Sequence, residues 1–192
     1  MRGILASTLL VLLPVAMVLA AGPGTIRSFA GTGEQGFSGD GGPSAAAKLD
    51  QPFQCSQDRQ GNLYLCDTFN QRIRKVDAKT GVISTVAGSG RKGYDGDGGP
   101  ALEATFNGPK WIHVGADGNV YIVDTENHCV RQIDPRTERI TTVAGGRKGP
   151  EGDGGPADKA GMDRPHGCWV DRDGNLYTGD TNNHRIRVNP VR

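Results

Sequence analysis

Acidic residues recur in three glycine-rich segments with the sequence Gly-Asp-Gly-Gly-Pro, where the aspartates are Asp40, Asp97 and Asp153. Asp95 precedes Asp97 by two residues, which makes that segment similar to half of a calcium-binding loop. A complete loop also needs a bidentate glutamate at its twelfth position, where this chain has Phe106. We therefore expect aspartate-capped turns here and no cofactor, with calcium at Asp40, Asp95, Asp97 and Asp153 as the alternative.

These acidic segments belong to a unit that occurs three times at intervals of 57 residues, beginning at positions 26, 83 and 140. After its Gly-Asp-Gly-Gly-Pro segment, each copy continues with Gly-Asn-Leu/Val-Tyr and then Asp-Thr-x-Asn. A fixed period of this size predicts a repeat architecture. Residues shared by every copy are expected to serve the scaffold, so functional residues are sought where the copies differ.

Binding candidates are the side chains near the starts of predicted strands that escape the repeat. They are Phe53, Lys110, Trp111, His113, His166 and Trp169. Aromatic and long polar side chains commonly anchor ligands at concave sites, although core packing is the alternative for the two tryptophans. The nucleophile motif Gly-x-Ser-x-Gly is absent from the sequence, and we assign no catalytic residues.

Each copy contains four short apolar segments that predict strands. In the second copy they cover residues 83–87, 111–114, 120–123 and 130–133. Asp117-Gly118 predicts a two-residue hairpin turn, and only residues 44–49 and 101–106 favour a helical turn. Four strands per unit without a long helix indicate an all-β fold made of propeller blades.

The segment at 174–187, Gly-Asn-Leu-Tyr followed by Asp-Thr-x-Asn-His-Arg-Ile-Arg, resembles the NHL repeat, and the similarity extends over 25–188. The resemblance implies a β-propeller built of NHL-type four-stranded blades, in a family whose rings have six. Three blades would form half of such a ring, open as a monomer. The loop segments resemble those of exported bacterial members.

The resemblance also bears on zinc. Pro165-His166-Gly167 is similar to a segment of NHL-fold amidating lyases, which hold zinc with three such histidines. The aligned residues in the other two repeats are Phe53 and Lys110, so this chain supplies one histidine where a catalytic zinc needs three protein ligands. We therefore do not expect a zinc site.

Both ends of the predicted blade array have unpaired edges. Residues 25–30 are expected to form a strand with no preceding blade to join, and the last blade, at 165–189, lacks its fourth strand. Two interpretations stay open. A homodimer that exchanges terminal strands would remove both edges, and an incomplete gene product would leave them unpaired.

Residues 1–21 combine Arg2 with an apolar run and small residues, which is typical of a secretory signal peptide. The remaining NHL-repeat region, 22–192, divides into repeats of about 25–81, 82–138 and 139–192. We expect a secreted or periplasmic protein with no membrane span after signal cleavage. A net charge of +1 argues against binding to nucleic acid.

The four cysteines of an exported chain can form disulfides. A two-residue turn at Gln60-Gly61 would place Cys55 opposite Cys66, within reach of a bridge, whereas a longer turn would shift the register by one. Cys129 and Cys168 are expected to be free, partly buried thiols.

Taken together, these features predict a non-enzymatic extracytoplasmic binding or scaffold module that presents a propeller face to a protein or a small ligand. One alternative is a propeller enzyme of the lyase or lactone-hydrolase type, active only in a complete ring. The other is a calcium-stabilised adhesin. The fold by itself does not decide between these functions.

Overall fold

The computed structural model describes residues 24–191, so the predicted signal peptide at 1–21 lies outside the described residues. Its strands form two four-stranded antiparallel sheets, one three-stranded antiparallel sheet and one short parallel pair. In the three larger sheets the strands follow one another in chain order, as in propeller blades. The predicted all-β, open arrangement of blades is confirmed. No helix among these residues is long and apolar enough to cross a membrane.

Thirteen strands and six short 3-10 turns lie within the described residues. Blade one contains β1 Pro52–Gln57, β2 Leu63–Asp67, β3 Arg72–Val76 and β4 Ile83–Ala87. Blade two contains β5 Pro109–Val114, β6 Val120–Asp124, β7 Cys129–Asp134 and β8 Arg139–Gly145. The parallel pair is β9 Arg147–Lys148 with β10 Gly161–Met162, and blade three contains β11 Gly167–Val170, β12 Asn175–Asp180 and β13 Arg185–Pro190. The 3-10 turns are Ser44–Ala46, Thr68–Asn70, Ala101–Glu103, Thr125–Asn127, Ala157–Lys159 and Thr181–Asn183.

The hairpin between the first two strands of each blade is longer than the predicted two-residue turn. In blade one, Asp58 N donates to Asn62 O at 3.0 Å and Gly61 N donates to Asp58 O at 3.1 Å. The Asp58 carboxylate accepts hydrogen bonds from the backbone N–H groups of Gln60 and Asn62. Gly61 takes the left-handed conformation that a three-residue loop requires, with φ +87°.

This longer loop shifts the strand register by one residue. Cys55 lies opposite Leu65 instead of Cys66, so the bridge that a two-residue turn would have allowed is not formed. All four cysteines, which lie within the described part of the chain, are free. Cys129 and Cys168 are buried, as predicted, whereas Cys55 is exposed.

The Asp-Thr-x-Asn segments form side-chain-bonded turns, as their residue types predict. In blade one, Asn70 Nδ2 donates to both carboxylate oxygens of Asp67, at 2.9 and 3.0 Å. The next residue is left-handed in every copy and is Gln71, His128 or His184, with φ between 51° and 57°. His128 and His184 therefore belong to the turns.

The hydrophobic core lies between neighbouring blades. Tyr64, Cys66 and Ile73 of blade one pack with Ile112 and Phe106, which belong to blade two and the loop before it. Blades two and three pack in the same way through residues at equivalent positions, namely Tyr121, Val123, Val130, Met162, Cys168 and Leu176. Each blade thus buries its apolar face only when another blade lies against it.

The two ends of the blade array differ from its interior. Residues 25–30 form no strand, although the equivalent residues of the next two repeats form β4 and β8. The strand expected at 25–30 is therefore not observed, because its backbone has no neighbouring blade edge to pair with in a single chain. At the other end, β13 pairs with β12, and no fourth strand joins it within residues 24–191.

Candidate functional site

The predicted binding residues lie on or just before the first strands of the three blades, β1, β5 and β11, which run side by side. Hydrogen bonds between blades fix their spacing. Val114 N donates to Ser56 Oγ at 3.1 Å, and Trp111 Nε1 donates to the carbonyl oxygen of Cys168 at 3.0 Å. The exposed surface of these three strands is called the inner face below.

At one end of the inner face, Phe53, Lys110 and His166 form a row with two charged residues. Lys110 Nζ lies 5.8 Å from the centre of the Phe53 ring and 3.1 Å from Glu126 Oε1. The same glutamate oxygen lies 2.7 Å from Arg164 Nη2. His166 Nδ1 lies 2.8 Å from the carbonyl oxygen of Arg164. These contacts hold charged and ring side chains next to one another. The group is called the mouth row below and consists of Phe53, Lys110, Glu126, Arg164 and His166.

In the mouth row, two cations share one carboxylate. Burial raises the pKa of Glu126, but hydrogen bonds and positive charge from Lys110 and Arg164 outweigh it and leave that pKa below its usual value. Glu126 is thus ionised and holds both cations at neutral pH. A ligand that binds the mouth row meets one surplus positive charge beside an exposed aromatic ring.

Further along the inner face, aromatic rings follow one another. The Trp111 ring lies beside Gly167, where an added Cβ atom would be in ordinary contact with it, and is oriented by the Nε1 hydrogen bond. His113 and Trp169 have ring centres 6.5 Å apart, and Trp169 and Tyr177 have ring centres 5.9 Å apart. These tilted contacts form an aromatic row, defined as Trp111, His113 and Trp169 of the inner face together with Tyr177 of the neighbouring strand β12.

His113 is the most enclosed member of the aromatic row. Burial lowers the pKa of its imidazole, so the ring is neutral at neutral pH. Within the described residues its Nε2 atom is buried and has no hydrogen-bond partner. A buried ring nitrogen without a partner carries a desolvation cost. It is a polar group that a bound ligand or an ordered water could satisfy.

The structure thus brings all six predicted residues onto one surface, in two adjoining rows. It adds three residues that sequence reasoning missed, which are Glu126, Arg164 and Tyr177. Glu126 occupies the variable position of Asp-Thr-x-Asn, where the other copies have Phe69 and Asn182, so the search for positions that differ could have found it.

The aspartates of the glycine-rich segments are held by arginine. Asp40 lies 2.8 Å from Arg74, and Asp97 lies 2.6 Å from Arg131. The same geometry recurs in blade three between Asp153 and Arg187, at 2.7 Å. In the described residues, no group of three or more His, Cys, Asp or Glu could hold a metal ion. Calcium at Asp40, Asp95, Asp97 or Asp153 remains a prediction from the sequence.

A separate cavity of about 320 Å³ lies between the outer strands of blades one and two. Tyr64, Lys75, Val120, Ile133 and Glu138 are among the residues that line it, and none of the predicted binding residues does. Because it is lined by none of the predicted binding residues, we do not include it in the candidate site.

Comparison with known proteins agrees with the assignment of repeated four-stranded blades. The family profile for the NHL repeat matches residues 106–133 and 162–188. Protein SUPPRESSOR OF QUENCHING 1, chloroplastic, of Arabidopsis thaliana is 32% identical over 131 residues, which are 65% of this chain and 12% of that protein. NHL repeat-containing protein 2 of Homo sapiens is 33% identical over 99 residues, 50% of this chain and 14% of that protein.

Among solved structures, an auxiliary nutrient binding protein from Bacteroides thetaiotaomicron VPI-5482 superposes with a TM-score of 0.58 at 23% identity. The match covers 74% of this chain and 37% of that chain, and it shows a shared fold. The blades and their turns therefore define a β-propeller chain. The NHL repeat profile matches two of its three repeats, and the chain spans only a small part of each curated relative named above.

Proposed function

We propose that this chain is a non-enzymatic extracytoplasmic binding or scaffold module, which presents its inner face to a protein or a small ligand. The observation that carries the proposal is the exposure of aromatic rings on three adjacent strands. Phe53 is 57% exposed, Trp169 is 54% exposed and Trp111 is 36% exposed. Rigid aromatic side chains supply contact area at low entropic cost, and they dominate many binding sites.

The polar groups around these rings suit binding more than bond-breaking. Lys110 is engaged by Glu126, His166 is held at the carbonyl of Arg164, and His113 is neutral and enclosed. These groups can orient a ligand through hydrogen bonds. The extracytoplasmic location is part of the proposal and is supported by the predicted signal peptide, with the nutrient-binding structural neighbour as a precedent for the fold.

The sequence offers a direct optical test. Its only two tryptophans, Trp111 and Trp169, both lie on the inner face, so tryptophan emission reports on this surface specifically. The purified chain is titrated with cellohexaose, maltohexaose and a tryptic digest of casein, while emission and acrylamide quenching are recorded. A ligand of the inner face should shift the emission and protect at least one tryptophan from the quencher.

Single substitutions then locate the ligand. Trp111→Phe and Trp169→Phe assign the signal to one ring, and Phe53→Ala and Lys110→Ala should weaken binding about tenfold each. Leu102→Ala is the matched control, because Leu102 is exposed on an outer 3-10 turn away from the inner face. A probe that binds by calorimetry without moving the tryptophan signal, and that tolerates all four substitutions, contradicts this site. Failure of the whole panel to bind contradicts the proposal for these ligand classes.

A further inference from the structure

Blade three carries an apolar sheet face that nothing in the described residues covers. Ile186 is 73% exposed, Val188 is 59% exposed, and Tyr177 is exposed beside them. The residues equivalent to Ile186 in the other blades are Ile73 and Val130, and both are fully buried. Tyr177 likewise corresponds to two buried tyrosines, Tyr64 and Tyr121. In blades one and two, the next blade along the chain buries these positions.

Between neighbouring blades, Ile73 and Val130 are covered by residues at equivalent positions of the next blade. Ile73 packs with Phe106, Ile112 and Val120, and Val130 packs with the equivalent residues, which are Met162, Cys168 and Leu176. The matching positions of blade one are Leu49, Cys55 and Leu63. Blade one therefore has the side chains needed to cover Ile186, on the face that points away from blade two.

The backbone edge of β13 is also compatible with residues 26–30 as a fourth strand. In blade one, β4 pairs with β3 so that Ile73 lies opposite Ala87 and Lys75 lies opposite Ser84. Residues 26–30 carry the fourth-strand sequence but form no strand, and Ile26 is fully exposed. Transferred to β13, the same register places Ala30 opposite Ile186 and Arg27 opposite Val188.

We propose that two copies of this chain close into a ring of six blades, with blade three of each copy packed against blade one of the other and residues 26–30 added to the partner's β13. Blade two separates the two ends within one chain, so they cannot meet each other. A two-fold arrangement satisfies both ends of both copies at once and leaves no open edge.

The ring also completes the inner face. Within one chain the mouth row ends at Phe53 on one side and at His166 on the other. In the ring, Phe53 of the partner subunit lies next to His166, as Phe53 lies next to Lys110 within one copy. The dimer is tested at Ile186, which lies opposite Gly179 and outside the aromatic row, so this test does not depend on the ligand proposal.

The first test is the mass of the full chain in solution, measured by light scattering coupled to gel filtration at up to about 100 µM. The expected result is twice the 20.3 kDa of one chain. Ile186→Lys should give a monomer with an unchanged circular dichroism spectrum, since this side chain is already exposed in one copy, whereas its equivalents Ile73 and Val130 are buried between blades. Leu102→Lys, also at an exposed leucine but outside the interface, should remain a dimer.

The second test fixes the register. In a Cys55→Ser background, a chain with Arg27→Cys is mixed with a chain with Val188→Cys under mild oxidation. A disulfide-linked heterodimer is expected on a non-reducing gel, whereas Arg27→Cys mixed with Leu102→Cys should give none.

Three results would overturn the dimer. They are a native chain that stays monomeric at the highest concentration, a dimer that survives Ile186→Lys, and assemblies that keep growing with concentration, which would indicate open head-to-tail association. If the chain is a monomer, the exposed face of blade three would instead be covered by a further segment of a longer chain or by a different protein. Ligand binding to the inner face would still be measurable through Trp111, so the two proposals fail separately.

Discussion

At the residue scale, the repeat is held together by a buried carboxylate beneath each Asp-Thr-x-Asn turn. Asp124 is fully buried, and its two oxygens accept hydrogen bonds from Asn107 N and Asn127 Nδ2, each at 2.7 Å. Burial raises the pKa of Asp124 to about 6, against the lowering effect of these hydrogen bonds and of the nearby Arg131. The desolvation cost of this charge exceeds what its partners return.

This balance predicts an unusual pH dependence. Because folding raises the pKa of Asp124, its contribution to stability is complete below the unfolded value of about 4 and is lost as pH rises through about 6. The free energy of unfolding of the native chain minus that of Asp124→Asn should therefore fall by on the order of 2 kcal/mol over this interval and stay flat above it. Urea unfolding at a series of pH values measures the difference.

Asp134→Asn is a control for which the opposite pH dependence of the unfolding free energy is expected. A hydrogen bond from the Arg136 side chain lowers the pKa of Asp134. The free energy of unfolding of the native chain minus that of Asp134→Asn should therefore decrease as pH falls, instead of as pH rises. If the Asp124 difference is independent of pH, then the carboxyl is not destabilised by burial in the folded protein.

Residue types explain why part of the site was predictable from sequence. The rule that functional residues differ between copies selected Trp111 and His166, and the structure places both at the inner face. The same rule could not select Tyr177, because tyrosine stands at the equivalent position in every copy. Tyr177 differs only in its surroundings, since no described blade covers it, and exposure of this kind is a property of the assembled fold.

At the element scale, glycines at the ends of the fourth strands allow the chain to turn sharply into the next loop. Gly88 has φ +92°, and a Cβ atom there would overlap the carbonyl oxygen of Gln71. Gly145 occupies the same position in blade two, where a Cβ atom would overlap the carbonyl oxygen of His128. Both backbone conformation and close approach therefore require glycine at this corner.

Gly88→Ala should destabilise the chain by at least about 2 kcal/mol more than Gly98→Ala. Gly98 is the matched control because it also has a positive φ, of +77°, but has open space around its Cα. Both variants incur the backbone strain, and only Gly88→Ala incurs the overlap. Equal losses of unfolding free energy, measured by chemical denaturation, would show that the corner at Gly88 relaxes freely.

The elements themselves were largely predictable, because strand positions follow the apolar segments and the breaks between them. The hairpin register was not, since it depends on whether the Asp58 carboxylate captures two backbone N–H groups and so lengthens the loop. Residues 25–30 illustrate a second limit on predicting strands from the sequence. Their sequence matches that of β4, but strand formation requires a neighbouring edge, and the sequence of one strand does not supply it.

At the scale of the whole molecule, the chain is an array of blades whose two terminal faces are unlike its internal ones. Each internal face is buried by the next blade, whereas Ile186 and Cys55 lie on faces that no described residue covers completely. A repeat protein needs such ends to be covered or made polar. Within residues 24–191, the outer face of blade three is neither covered nor polar, and the proposed association with a second copy would bury it.

Cys55 provides a reporter of that association without any substitution. It is exposed in one copy, while the residues at equivalent positions, Ile112 and Cys168, are buried between blades. Cys66, Cys129 and Cys168 are buried, and burial raises the pKa of each of these thiols, so they should react slowly in the folded protein. Labelling with a maleimide should therefore show one fast thiol.

The rate of that fast reaction should depend on protein concentration. Between about 0.1 and about 100 µM, dimer formation should bury Cys55 and slow its labelling at least tenfold. Ile186→Lys should keep the reaction fast at every concentration, and Cys55→Ser should remove it. A fast thiol whose rate constant is the same across this range would mean that the blade-one face stays open, and the six-bladed ring of two copies would then be wrong.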